Sequence, residues 1–261
     1  MAVVVVTGGS GKVAGMIRPH LAAAGHEVRL LDVVAPAGEL RPSESSSTVD
    51  AVDVAALTEA LGGADLLVHL AAHAAERPWA DIRDVNVEGA YAAYEAVRRA
   101  GVPRVLAASS VHAAGFVPWA EAADDDVPAP RPDTYYGVSK VLLEAMGSLA
   151  ADRDGVVVVS ARIMTAVERP FDARSLGTWL SPGDAARLVE AALTTPLPGH
   201  HVVWGVSRNT RRPVSLAAGE AIGYHPVDDA EEHAARLGLP PIEGHVPIGG
   251  DFVDHPLGEP L

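Results

Sequence analysis

Tyr136 and Lys140 stand four positions apart, so on a helix they share one face. A phenol titrates near ~10 in isolation, and a neighbouring ammonium draws that value down toward working pH. Such a tyrosine can take the proton of a substrate hydroxyl while a hydride leaves the same carbon. Ser110 lies 26 positions before Tyr136 and follows an apolar run, Val105 to Ala108. A serine hydroxyl at that edge can donate to the substrate oxygen and share its proton with the tyrosine. Tyr-x-x-x-Lys alone is common by chance, and Ser110 alone reads equally well as a turn serine. A strand, then serine, tyrosine and lysine in that order, is a far more specific pattern.

These side chains need a scaffold, and the chain supplies alternating β and α signals. Strands are expected at Ala2 to Val6, Glu27 to Leu31, Val49 to Val52, Asp65 to Leu70, Val105 to Ala108 and Val156 to Ser160. Helices are expected at Gly11 to Ala24, Val54 to Leu61, Ala80 to Ala100 (closed by Gly101) and Tyr136 to Ala150. Continuous apolar strands alternating with helices imply a parallel sheet covered on both faces, an α/β Rossmann-type doubly wound fold. The polar, serine-rich stretch Glu39 to Thr48 reads as an exposed connection. Residues 161 to 181 show little periodicity and read as a loop, after which Ser181-Pro182 opens a helix running to about Thr195. A strand is expected at His201 to Trp204, a helix at Asp229 to Leu237, and a Pro- and Gly-rich tail wrapping the surface from Pro240. Residues 1–160 are thus expected to form the core carrying Ser110, Tyr136 and Lys140. Residues 161–261 are expected to form a small substrate-binding segment packed on it, within one structural domain.

A second motif opens the chain. Thr7-Gly8-Gly9-Ser10-Gly11-Lys12-Val13-Ala14 follows the first strand and starts the first helix. Glycine there allows a tight turn and lets a pyrophosphate approach backbone N–H groups at a helix N-terminus. Gly8, Ser10, Gly11, Lys12 and Val13 are the expected contacts. Asp32 ends strand two, where its carboxylate can accept from the adenosine ribose hydroxyls and repel a 2′-phosphate; an ordinary turn aspartate is the alternative. With no cation at Val33 or Val34 to offset it, NAD is expected over NADP. Asp53-Val54 lie where an adenine contact is expected, although Asp53 reads equally as an N-cap. The small residues of Leu70-Ala71-Ala72, with Ala108 and Ile163, complete the expected cofactor wall. An oxidised nicotinamide beside Tyr136 would add to the lowering of its phenol.

Together these stretches resemble the extended short-chain dehydrogenase/reductase superfamily, and most of all uronate dehydrogenases. The likeness is carried by Val6-Thr7-Gly8 to Gly15, Val68 to Ala72, Ala108-Ser109-Ser110 and Tyr136 to Lys140. It is carried further by Ser175 to Ser181, Val202 to Ser207 and Gly249 to Asp254. The resemblance implies oxidation at C1 of a cyclic uronic acid to an aldarolactone, with NADH formed. It assigns Arg174 to the sugar carboxylate, which an arginine fork suits geometrically, and places Ser110, His112 and Thr165 in the sugar pocket. Two positions depart from the pattern, Ala74 for a serine and Val111 for an asparagine, each losing a polar contact to sugar hydroxyls and so altering preference. His73, beside Ala74, stands where it could replace one contact.

Bulk properties narrow the field. The chain has 261 residues and a net charge of −14, which disfavours nucleic acid as a partner. Cysteine is absent, which fits a reducing cytoplasm, and no run approaches the ~20 apolar residues of a membrane span. Neither thiolate ligands nor His-Glu-x-x-His occur, and no metal is expected. The expected partner is a small acidic sugar, and a homo-oligomer is the expected state. Two other readings stay open. One is a nucleotide-sugar epimerase or dehydratase using the same Tyr-Lys site; the other is a non-catalytic NAD-binding protein. The short stretch after strand six argues against the first, and the intact Ser-Tyr-Lys set against the second.

Overall fold

In the computed structural model, residues 1–124, 127–238 and 247–261 are described. In chain order the elements are β1 (Val3–Thr7), α1 (Lys12–Ala23), β2 (Glu27–Asp32), β3 (Glu44–Thr48), α2 (Val54–Ala60) and β4 (Leu66–His69). There follow α3 (Trp79–Asp81), a π-helical segment (Ile82–Val87), α4 (Glu88–Ala100), β5 (Arg104–Ser110), a 3₁₀ turn (Val111–Ala114) and α5 (Trp119–Ala122). Next come α6 (Tyr135–Asp154), β6 (Val157–Ile163), β7 (Thr165–Ala166), α7 (Ser175–Thr178), β8 (Trp179–Leu180) and α8 (Pro182–Thr194). The chain closes with β9 (His200–Gly205), α9 (Ala217–Ala221), α10 (Glu231–Leu237) and a second 3₁₀ turn (Gly250–Asp254).

Seven strands form a parallel sheet in the order β3-β2-β1-β4-β5-β6-β9. Alternate residues of each strand face opposite layers, as the pleat requires. Val4 and Val6 join Ile17 and Leu21 of α1 and Leu188 and Val189 of α8 in one apolar cluster. Val5 joins Leu57, Ala93, Val97 and Leu143, from α2, α4 and α6, in the other. The strand order reverses between β1 and β4, and at such a switch point the carboxyl ends of parallel strands open a ligand crevice. Thr7 and His69 mark that point, joined Oγ1 to Nδ1 at 2.8 Å.

Several elements depart from expectation. The third strand is Glu44–Thr48, inside the stretch read as a connection, and not Val49 to Val52. It runs at the sheet edge with every side chain after Glu44 exposed, so its register rests on backbone pairing to Val28–Asp32 and leaves no apolar signature. β5 continues through Ser110, so both serines lie on the strand rather than after it. Residues 161–181 are not a plain loop: β6 runs to Ile163, β7 pairs with β8, and α7 sits between them. The expected single helix from Ala80 to Ala100 passes through π geometry before α4. α8 and β9, both beyond residue 160, complete the sheet and one helical layer, so the sheet extends past that boundary. Residues 240–246 of the expected tail lie outside the described residues. No helix among the described residues is long and apolar enough to cross a membrane.

Candidate active site

The glycine-rich turn leaves β1 in a conformation that only glycine suits. Gly8 has φ +69°, and a Cβ there would fall 2.8 Å from the Ala71 nitrogen and 2.9 Å from the Leu70 carbonyl carbon. The turn closes with Gly11 N–H donating to Gly8 O at 2.9 Å. Gly11 is the N-cap of α1 and offers no side chain to the first N–H groups, which suits an anion at that end. Asp32 is drawn against the turn: its carboxylate accepts from Ser10 N–H at 3.0 Å and Val34 N–H at 3.3 Å. Val13, Leu70, Ala108 and Ile163 line a small apolar cavity beneath the crevice, and Lys12 is exposed beside it. Asp53 directs its carboxylate to Ala55 and Ala56 N–H, at 2.9 and 3.0 Å, as the cap of α2 ahead of half-buried Val54. The bare helix end, the Cβ-free floor over Ala71 and the turn-bound Asp32 together fit a dinucleotide.

β5 delivers Ser110 and α6 delivers Tyr136 and Lys140 to the same side of the crevice. Tyr136 is buried, and burial pushes its phenol up to about 12; the Ser110 hydroxyl bonded to it works in the opposite direction, and Asp133 reinforces the rise. Lys140 is buried too, which brings its ammonium down to about 8. Its Nζ donates to Ala108 O at 2.8 Å and lies 5.4 Å from the Tyr136 ring centroid. The lysine was expected to lower the phenol. In the free protein that lowering is not seen: desolvation sets the direction, Ser110 is what opposes it, and the site holds a neutral phenol. Ser110 Oγ also accepts from His112 N–H at 3.2 Å. His69 is held near 3 by burial and by Lys140, so it stays neutral. Among the described residues no group of three or more His, Asp or Glu could hold a metal ion.

The far rim gathers residues from distant segments. Arg174, at the N-cap of α7, donates from Nη1 to Thr165 Oγ1 at 3.2 Å and from Nη2 to Ile248 O at 2.8 Å. Its Nε is buried without a partner. Burial lowers its pKa, while the charges of Asp172, Asp251 and Asp133 oppose that shift. It forms no salt bridge among the described residues. An arginine so desolvated and so incompletely paired has the chemistry to pair with an anionic group. His112 is fixed by its Nδ1 to Asp133 at 2.7 Å, lies 5.8 Å from the Tyr136 ring and is stacked on Phe252 at 3.8 Å.

Val111 and His73 are held by other parts of the chain. Val111 is packed with Ala114, Val117 and Trp204 in an apolar cluster, where its side chain is excluded from the polar rim by its own hydrophobicity. His73 is gripped through its backbone, N–H to Asn86 Oδ1 at 2.8 Å and C=O from Asn86 Nδ2 at 3.0 Å, and Ala74 beside it is exposed. Asn86, Asp133, Glu76, Phe252 and the Ile248 carbonyl were not anticipated. Asp133-Thr134 ahead of Tyr135 could have been read as a helix start, because Thr134 caps α6 through Gly137 N–H at 3.1 Å. Asn86 and Glu76 carry no sequence signal, since each acts on a segment distant in the chain.

Residues 4–182 match the model of the NAD dependent epimerase/dehydratase family. The uronate dehydrogenase of Pseudomonas syringae pv. tomato is 36% identical over 260 residues, covering 97% of this chain and 94% of that protein. An L-arabinose 1-dehydrogenase (NAD(P)(+)) of Haloferax volcanii is 36% identical over 255 residues, covering 88% of this chain and 98% of the relative. Among solved structures, the Y136A mutant of Agrobacterium tumefaciens uronate dehydrogenase complexed with NAD superposes with a TM-score of 0.88. It is 34% identical, and the match covers 98% of each chain. With the switch-point crevice, the glycine turn and the Ser-Tyr-Lys set all in place, the chain belongs to the NAD dependent epimerase/dehydratase family.

Proposed function

We propose that the protein is an NAD-dependent dehydrogenase that oxidises C1 of a cyclic uronic acid to the aldarolactone. The observation that carries this reading is Arg174. Its guanidinium is buried and partly unpaired, it feels the charge of Asp133, which holds His112 beside the Tyr136 ring, and uronate dehydrogenases are among the relatives. Ser110 would donate to the anomeric oxygen, and Tyr136, once it has lost its own proton, would take the substrate's proton as phenolate and return to phenol as the C1=O bond forms. The glycine turn and Asp32 would hold NAD, which would supply the hydride acceptor for C1. Lys140 would place positive charge beside Tyr136 and so favour the phenolate that serves as base, and it keeps N–H donors beyond the one spent on Ala108. His112, oriented by Asp133, and Thr165 would meet ring hydroxyls, and Arg174 would hold the carboxylate as a charge-assisted pair. Residues beyond 160 would thus supply the acid-binding rim, and Asp32 would favour NAD over NADP.

NADH formation with galacturonate, glucuronate, neutral aldoses and simple secondary alcohols tests the reading. Turnover of uronates well above neutral aldoses is expected. Turnover of a neutral pentose alone would overturn it and would align the chain with the arabinose enzyme.

A further inference from the structure

Glu76 is fully buried and pairs with no cation among the described residues. Its carboxylate accepts three backbone N–H groups instead: Tyr135 at 3.3 Å and Gly258 at 2.9 Å on Oε1, and Tyr136 at 2.8 Å on Oε2. Its own carbonyl accepts from Leu261 N–H at 3.3 Å. The first N–H groups of a helix have no partner within the helix. In α6 those of Tyr135 and Tyr136 go to Glu76, and that of Gly137 goes to Thr134. A carboxylate at this end also complements the helix dipole.

The same carboxylate also holds the C-terminal strap, residues 247–261, through Gly258. Ile248 N–H bonds Val117 O and Gly249 N–H bonds Gly115 O, each at 2.9 Å; the Ile248 carbonyl receives Arg174, and Phe252 stacks on His112. Gly258 then reaches Glu76 with φ +78°, where a Cβ would meet only Tyr135 Cε2 and Pro78 Cα, at 3.7 and 3.8 Å. The strap therefore touches the carboxylate-binding rim at one end and the helix of Tyr136 at the other, and Glu76 is the joint. We propose that Glu76 is a positioning residue whose carboxylate couples the seating of residues 256–261 to the placement of the Tyr136 ring. For its effect on rate, the proposal rests on the uronate dehydrogenase reading above.

The test perturbs the joint from the strap side. Space at Gly258 is ample, so only its positive φ restricts substitution. Gly258→Val places a β-branched residue where it is strained, and Gly258→Asn places one that tolerates the left-handed region. Gly258→Val should lower kcat by roughly 10-fold with KM for NAD within about twofold of wild type, since a small misplacement of reacting groups is costly. Amide exchange across residues 134–138 should quicken in parallel. Gly258→Asn should restore both. Glu76→Gln, which turns an N–H donor toward N–H donors, should lose roughly 30-fold in kcat, and adding Gly258→Val to it should cost little more, as expected of one shared joint. Unchanged exchange in Gly258→Val, or losses that multiply in the double variant, would overturn the proposal. Quickened exchange in a protein that oxidises no uronate would support the coupling while removing the proposed substrate, because exchange is read without turnover.

Discussion

The glycine turn after β1 and Asp32 at the end of β2, the heart of the expected cofactor side, meet through backbone N–H groups. The proposed substrate wall draws Thr165, Arg174, Ile248 and Phe252 from well-separated segments, and each of its contacts involves at least one side chain. Ser110, Tyr136 and Lys140 stand between them. On the cofactor side, a single side-chain change should shift selectivity and leave binding, because glycine geometry and open N–H groups remain. On the substrate side, each side chain is a partner for another, so a single loss should be felt both in affinity and in the order of the rim.

The largest expected effect lies on the dividing line. Tyr136→Phe should lower uronate oxidation by at least ~10³-fold, the scale of a lost general base, with NADH affinity kept within a few-fold by fluorescence titration. Measurable turnover near the wild-type rate would remove Tyr136 as the proton acceptor. Next is the edge that supports the cofactor wall. Glu44 is buried, which alone would raise its pKa, but hydrogen bonds from Arg18 and Arg41 hold it at about 2 instead of 4.5. A carboxyl lowered in the folded state stabilises it fully above about pH 4.5, and that stability is lost as pH falls toward about 2. Glu44→Gln should cost ~3 kcal/mol at pH 7, as breaking a buried pair does, and should flatten the acid dependence of urea midpoints. Acid sensitivity identical to wild type would contradict the role given to Glu44.

On the substrate wall, Arg174→Ala should raise KM for uronates by roughly 30-fold, the worth of a hydrogen-bonded charge, and leave neutral sugars within twofold. An equal rise for neutral sugars would break the contrast, since the arginine would then be a scaffold only. The smallest shift belongs to the cofactor wall. Asp32→Ala should narrow the preference for NAD over NADP by about 10-fold through one lost pairing and one relieved repulsion. Selectivity that stays put would place ribose recognition elsewhere on the turn.

What could be read in advance follows the same division. The glycine turn, the apolar central strands and the Ser-Tyr-Lys spacing are local patterns, and each was legible because its residues act within one element or across one turn. Placing Arg174 needed a family likeness, because nothing in its own neighbourhood points to a carboxylate. Glu76 and Asn86 escaped notice since their partners lie 59 and 53 positions away, at Tyr135 and Ser139. β3 escaped for another reason. Strand reading relies on apolar alternation, and an edge strand that covers no core has none. Val111, read as a departure that removes a polar contact, has its side chain in an apolar cluster with Ala114, Val117 and Trp204.

That edge strand also leaves one border of the sheet unpaired among the described residues. An unpaired strand edge is a template for another chain, and apolar edges of ample length seed fibrils. β3 offers five residues, of which three serines and a threonine are exposed and the one buried side chain, Glu44, is engaged with two arginines. An approaching strand would find backbone groups but no dry surface to bury. At high concentration, the serine-rich border thus acts as a guard against sheet-to-sheet aggregation.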